Sequence, residues 1–535
     1  MSVEAAAKGL LTDGEFKAAS WEWVQDTAAA TGKWGDIGDW DVSGVTDFSY
    51  AFSINRNEVG GTYVENGNPK AVEMNADLSA WKVAKVTSLA HTFNGASKFV
   101  GTGLDSWITA SVTTLDHTFS GASTFVGTGL SKWITTSVTT LQNTFNNAQE
   151  MNSDLSSWKV GKVTTMESTF TGTSKFVGTG LASWDTSSVT TLHTTFTDAK
   201  EMNSDLSAWK VGKVETLAYT FKGASTFVGT GLDSWITTAV AILDFTFTDA
   251  KAMNSDLSSW KVGKVKTLAA TFYGASKFVG TGLSKWDTAF VTTLYRTFNG
   301  ASKFAGAGLA SWDISKVTNM ALTFNTATSL TSCNKRRIVD AWASSTVFVA
   351  TSYDTDWASF TCPPQTDAQF KRASWDWVQD ATTATHKWGD IKGWDTSTIT
   401  TTAFAFSTFR DEDGTYQSTE TNAKAATFNS DISMWDTSRV SNLEGTFLGA
   451  SAFNSNLARW STVNLENVKR MFESTSAFTG VGVASFNVGK VSGANFMDGF
   501  KDAPAITSCN KKRIDEAWKS NVLFKASDFG WAGDR

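Results

Sequence analysis

One arrangement of residues recurs along almost the whole chain: Trp, then Val five residues on, an apolar residue at eight and Phe at twelve. It first occurs at Trp40, Val45, Phe48 and Phe52. After Trp81 it restarts at Trp107, Trp133, Trp158, Trp184, Trp209, Trp235, Trp260, Trp286 and Trp312, at intervals of 25 or 26 residues. A period of this size belongs to chains whose turns bury their apolar side only by stacking on one another. Most of the 41% hydrophobic composition therefore serves the stacking. Chain length is then no guide to domain number, because a stack has no single closed core.

Two longer identities divide the chain. FKAASWEWVQDTAAATGKWGDIGDWDVS (16–43) returns in altered form at 370–397, and LTSCNKRRIVDAWASSTVF (330–348) returns at 506–524. The offsets are 354 and 176 residues, and their difference of 178 is close to seven turns. One module is thus expected twice. The first, 1–362, holds an N-cap helix at 12–30, eleven turns over 35–330 and a C-cap at 331–362. The second, 363–535, holds an N-cap helix at 366–384, four turns over 389–505 and a C-cap at 506–535. Pro363 and Pro364 mark the boundary. Thr12 with Glu15, and Thr366 with Gln369, have the spacing of capping boxes.

Within one turn, Val138, Leu141, Phe145 and Ala148 fall at the spacing of one helix face. Met151, Leu155 and Trp158 then read as a short extended stretch, which in other turns is Phe99, Leu104 and Trp107. The spacing predicts an α/β solenoid, a leucine-rich-repeat-like right-handed superhelix of 25–26-residue turns with helical caps. The many threonines favour strand, so a parallel β-helix is the alternative. The last turn departs from the pattern, with Phe486 for Trp and Asp498 where Phe is expected.

The string W-[DK]-[VT]-x-x-V-T-x-[LM]-x-x-x-F-x-x-A, followed by F/M-N-x-D-L-x-x-W, resembles the BspA-like leucine-rich-repeat surface proteins. Its nearest branch is that of the mycoplasma 26-residue lipoprotein repeats, which also occur in long proteins of unicellular algae. The resemblance covers roughly 35–330 and 390–500, and the W-x-W-V-Q-D and S-C-N-K caps look like the algal form. It implies a non-catalytic module for cell-surface or extracellular recognition or adhesion, with a protein or glycan partner. The rival expectation is a structural subunit of a coat, shell or virion layer, inside a cell or a virion.

Composition narrows the classes further. A net charge of −6 argues against a nucleic-acid partner, which needs a basic stripe. No run of 18 apolar residues encodes a membrane span, and the first sixteen residues lack the apolar stretch of a secretory signal. No nucleophile–His–acid grouping, phosphate loop or metal spacing is visible, so neither an enzyme nor a cofactor is expected.

Candidate contacts lie in the first turn of each module, which is 41 residues long. The insertions 54–70 and 408–424 are polar and share Gly-Thr-Tyr at 61–63 and 414–416. Insertions of this kind often map to a binding face. Tyr63, Arg56 and Glu65, with Tyr416, Arg410 and Asp411, are the expected binding residues. The bland reading is a loop that covers the edge beside the cap. A column of threonines before the Phe (Thr92, Thr118, Thr144 and onward) offers a minor alternative of ice or carbohydrate binding, against simple packing. His91 and His117 share a column in adjacent turns but lack a third ligand, so no metal site is expected. Alternate turns repeat Asp and Lys, as at Asp154 and Lys159, and a solvated face of balancing charges accounts for them. Cys333 and Cys509 are equivalent cap positions. Cys333 is expected to pair with Cys362, with the partner of Cys509 falling just past the end of the chain. That bond would favour an extracellular or cell-surface setting, while the lack of any N-x-[ST] sequon weighs against the eukaryotic secretory route.

Overall fold

A computed structural model describes residues 9–60, 62–525 and 531. The chain separates into two compact units. One runs to Asn334 and takes in Asp340–Asp354; the other comprises Lys335–Val339 and the chain from Thr355 onward. Helices α1 (Asp13–Gln25) and α2 (Thr27–Trp34) precede the first repeats. Helices α3 (Ser332–Trp342), α4 (Thr346–Val349) and α5 (Ser352–Trp357) follow them. Helices α6 (Asp367–Gln379) and α7 (Ala381–Trp388) open the second set, which ends at α8 (Ser508–Trp518).

The helices expected at 12–30 and 366–384 are each two helices. Asp26 has extended backbone (φ −153°), and its carboxylate accepts from the Ala29 N–H at 3.0 Å, so the residue that ends α1 caps α2. Asp380 accepts from Thr382 and Thr383 and does the same between α6 and α7. The capping box of α1 is complete in both directions between Thr12 and Glu15. In α6 the Gln369 side chain reaches back to the Gln365 N–H instead, at 3.0 Å.

The repeats overturn both expected architectures. Among the described residues they contain no α-helix and no β-strand, so the chain is neither an α/β leucine-rich-repeat-like solenoid nor a parallel β-helix. It is a stack of coils made of tight turns. In the coil that starts at Trp133, the N–H groups of Thr144, Asn146 and Ala148 donate three residues back, to Leu141, Asn143 and Phe145, at 2.9–3.2 Å. The alternate N–H groups of Leu141, Asn143, Phe145 and Asn147 donate to Thr165, Glu167, Thr169 and Thr171 of the following coil, at 2.7–3.1 Å. Within this segment the backbone donors are shared between the coil's own turns and its neighbour, and none is left bare in the interior.

Left-handed residues make this alternation possible. Asn143 and Asn147 have φ of 51° and 59°, and a left-handed residue every fourth position bends a strand out of pairing. Parallel bridging is therefore confined to one residue per coil. These single bridges run in file from Asp47 through Ser88, Thr114 and Thr140 to Asn319, and from Thr401 to Asn467 in the second unit. A chain of such turns brings Leu141, Phe145 and Ala148 to one side with nearly the rhythm of a helix, which is why the periodicity misleads. The contrary signal lies two residues after each Phe: Gly95, Gly121, Asn147, Gly172, Asp198, Gly223 and Asp249 all have positive φ. Gly, Asn and Asp are the residues that enter the left-handed region most cheaply.

Aromatic files fill the interior. Trp158, Trp184, Trp209, Trp235 and Trp260 stack ring on ring at 6.1–6.4 Å, tilted by no more than 7°. Each indole N–H donates to a carbonyl of the preceding coil, as from Trp184 to Leu155 at 3.2 Å. Alongside, Phe145, Phe170, Phe196 and Phe221 stack at 5.5–5.7 Å. In the last coil Phe486 takes the Trp place, 6.3 Å from Trp460. Asp498 does not occupy the Phe place: Phe500 does, stacked on Phe472 at 5.6 Å, and Asp498 is the left-handed residue before it (φ 56°). The last coil carries two extra residues between these aromatics.

Glycine is required where the Gly-Thr-Gly segment crosses the coil before it. Gly180 has φ 95°, and a Cβ there would run into the backbone of Leu155 and Ser156. Both the conformation and the space forbid a side chain. Gly180→Ala is expected to cost about 3 kcal/mol or more. The same change at Gly161, where the nearest atom is a side-chain oxygen 3.5 Å away, is expected to cost under about 1 kcal/mol. Equilibrium urea unfolding of the two variants checks the contrast.

Candidate functional site

The insertions resolve into buried anchors and exposed tips. Arg56 and Arg410 are wholly buried, which removes both from the expected binding set. The Arg410 guanidinium donates to the carbonyls of Ala405 (2.7 Å), Lys371 (2.8 Å) and Asp411 (3.0 Å) and to the Ser374 hydroxyl (2.9 Å). Arg56 makes the equivalent bonds to Ala51, Lys17, Asn57 and Ser20. Each stitches its loop to the first cap helix of its unit. Burial pulls both guanidiniums down to about 10. Desolvation causes the shift, opposed at Arg410 by the Asp411 carboxylate.

Single antiparallel bridges, Arg56 with Tyr63 and Arg410 with Tyr416, pinch each loop. At these bridges Tyr63 is 54% and Tyr416 40% exposed, and Glu65 is exposed as well. Gly61 lies outside the described residues. Asp411 is half-buried and accepts from the Thr415 N–H and the Gln417 amide, which holds the loop rather than presenting a charge. Tyr416 packs 5.3 Å from Phe404 and beneath the Arg470 guanidinium, 5.1 Å from the ring centre. Phe404 and Arg470 are themselves left-handed residues of the repeats. The exposed tip thus joins the face that carries the single bridges.

That bridge face holds what varies from coil to coil. The left-handed position two residues before each Phe is Tyr50, His91, His117, Asn143, Ser168, Thr194, Tyr219, Phe245, Ala270, Arg296 and Leu322 in turn. The residue before it changes as freely, through Asp116, Gln142, Glu167, His193, Asp244 and Tyr295. The Trp, Val, Leu and Phe files hardly change at all. Most of the variable side chains are half-buried because adjacent coils press them together, while Ala270 is buried and Leu322 exposed. Tyr219 and Phe245 lie flat on one another at 4.7 Å, with Lys222 beside the tyrosine. The sequence reading met this column only through His91 and His117, as a metal-site question, and did not take its variability as the mark of a face.

The threonine column is not part of any face. Thr92, Thr118, Thr144 and Thr169 are fully buried. The Thr144 hydroxyl lies 2.8 Å from its own Leu141 carbonyl and 3.0 Å from that of Leu115 in the preceding coil. The column therefore serves as an internal polar seam, and ice or carbohydrate binding through it is ruled out. The repeating aspartates are equally local. Asp77, Asp154, Asp205 and Asp256 each accept from the N–H of the serine two residues on.

The model of a family described as Mycoplasma protein of unknown function, DUF285, matches residues 28–102, 62–179, 166–282, 243–361 and 376–512. The matches take in well over half of the chain. The chain belongs to this family. No curated protein and no solved structure matches it. The mycoplasma-type resemblance is thereby shown at the level of the repeat family, while the BspA-like branch is not.

Two features of these DUF285 repeats bear on chemistry. His91 and His117 stack at 4.3 Å, with Tyr50 on the other side of His91 at 4.4 Å. Asp116 reaches both imidazoles, with its Oδ1 2.8 Å from His117 Nδ1 and its Oδ2 3.7 Å from His91 Nε2. The sequence reading missed this carboxylate because it sits in the neighbouring column. Burial, helped by His117 and opposed by Asp116, pushes His91 down to about 4. A depressed histidine favours the folded state above its free value near 6.5, and this contribution is lost as the pH falls through about 4. With EDTA present, the stability gap between the native chain and His91→Asn is expected to narrow by roughly 1–2 kcal/mol from pH 7 to pH 4, after discounting for solvent on the open side. Thermal melts at paired pH values measure it.

The second feature is the cysteines. Cys333 and Cys362 are disulfide-bonded, and Cys509 is a free, exposed thiol. No helix among the described residues is long and apolar enough to cross a membrane.

Proposed function

We propose that the chain is a non-catalytic recognition protein whose partner, a protein or glycan, lies along the bridge face. One observation carries this reading: two adjacent columns of that face, the left-handed position and the residue before it, take chemically unlike side chains from coil to coil while the Trp, Val, Leu and Phe files stay fixed. Stacking needs only the invariant files, so packing does not require this variety. Aromatic rings held flat and half-open, such as Tyr219 and Phe245, suit sugar faces and apolar side chains alike. The exposed Tyr416 extends the same kind of surface in the second unit. A disulfide favours an oxidising setting, which supports a cell-surface or extracellular location.

The rival reading is a subunit of a larger assembly. The two are separated by probing printed glycans and immobilised extracellular-matrix proteins with the labelled chain and with a Tyr219→Ser/Phe245→Ser variant. A target held by the native chain and bound at least about tenfold more weakly by the variant supports the proposal. Equal binding by both, or no binding together with a large ordered oligomer in light scattering, overturns it.

A further inference from the structure

We propose that His91, Asp116 and His117 form a binding site for a divalent transition-metal ion of the zinc, copper or nickel class. The three side chains come from two adjacent coils, and one ligand atom from each lies within 4.8 Å of the others. Two imidazoles and a carboxylate are a ligand set these ions prefer, and three protein ligands leave a position for water.

The backbone explains why the two rings face the same way. His91 and His117 occupy the same left-handed position in consecutive coils, with φ of 55° and 52°. Their side chains consequently leave the bridge face in parallel, and register sets their spacing at about one inter-coil step. Asp116 leaves from the next column toward the same point. Its two oxygens are already divided between the imidazoles, at 2.8 Å and 3.7 Å. A metal ligated at about 2.0–2.1 Å by each group in tetrahedral geometry needs the cluster to close by up to about 1.5 Å, within the reach of side-chain rotation on a half-open surface.

Tyr50, stacked on the face of the His91 ring away from His117, holds that imidazole in place with its Nε2 toward Asp116. The side chains of His91, His117 and Asp116 are 12%, 28% and 30% exposed, which leaves one side open for entry and for water ligands. His193 and Glu167 form a looser pair elsewhere on the same face, at 3.5 Å with no third ligand, and serve as an internal comparison.

The test is isothermal titration of Zn²⁺ into the full chain after EDTA treatment, in a Cys509→Ser background so that the free thiol does not contribute. Alongside run His91→Asn, Asp116→Asn and His193→Asn. One ion per chain is expected, weakened at least about tenfold by His91→Asn and by Asp116→Asn and unchanged by His193→Asn. Co²⁺ substitution should give the visible absorption of a low-coordinate nitrogen–oxygen site, absent from the His91→Asn variant. Thermal melts without metal confirm that each variant is folded. A native chain that takes up no Zn²⁺, or variants that bind it as the native chain does, would overturn the site.

Discussion

Trp184→Ala will destabilise the first repeat unit by about 4 kcal/mol and divide its unfolding into two transitions. The indole is 1% exposed and lies between Trp158 and Trp209 at 6.3 and 6.4 Å, with Phe170 at 6.0 Å. Removing it opens a cavity that coils bridged on both sides cannot close, and takes from the Leu155 carbonyl one of its two donors, leaving only the Trp158 N–H. In a stack, stability is passed between nearest neighbours, so a gap in the middle separates what lies before it from what lies after. Trp184→Phe should cost only about 1–2 kcal/mol and keep one transition, since Phe486 fills the same place in the last coil. Urea unfolding followed by tryptophan fluorescence and by far-ultraviolet circular dichroism distinguishes these outcomes. Coincident single transitions for Trp184→Ala would show that the coils are coupled over longer range than the aromatic file.

The second large effect is expected at Arg410. Arg410→Met should cost the second unit about 3–5 kcal/mol, although the residue belongs to a polar insertion. The loss is not of an ion pair. Truncation takes the guanidinium donors from the carbonyls of Ala405 and Asp411 and from the Ser374 hydroxyl, and leaves the Lys371 carbonyl only its bond from Ser374 and those of its helix. Arg410→Lys should be nearly as damaging, because one ammonium cannot span acceptors that a planar fork reaches together. Glu65→Ala, at an exposed tip, should change stability by less than about 0.5 kcal/mol. Melting of the full chain, read at the transition that Arg410→Met moves, gives all three values. A neutral Arg410→Met would mean that the loop is not anchored through its guanidinium.

The contrast between Arg410 and Tyr416 shows how far the insertion was legible. Both stood out as candidates because they sit in matching polar segments of the two units. Residue type then pointed the wrong way for the arginines, since charged residues in polar loops are nearly always solvated. Nothing in the local sequence announces that a helix carbonyl 39 residues upstream lies at the right height. The tyrosines, which pair with the arginines across the pinch of the loop, stay exposed. The His91–Asp116–His117 cluster was half legible in the same way. Two histidines in one column were plain, but the carboxylate in the next column became a partner only once the backbone set the direction of all three.

Periodicity by itself determined that the chain stacks, where each coil begins, which residues face inward, and that one capped module occurs twice. Those conclusions need only the rule that apolar side chains leave water together, and that rule is written in spacing. What the backbone does between the apolar positions was decided by the tertiary structure. A helix, a strand-and-helix turn and a run of tight turns can all deliver Leu141, Phe145 and Ala148 to one side. The choice falls to the left-handed residues, whose extra cost is offset only when the next coil is there to accept the N–H groups they redirect. That acceptor lies 24 residues away along the chain at Thr165–Thr171, and it exists only in the folded stack.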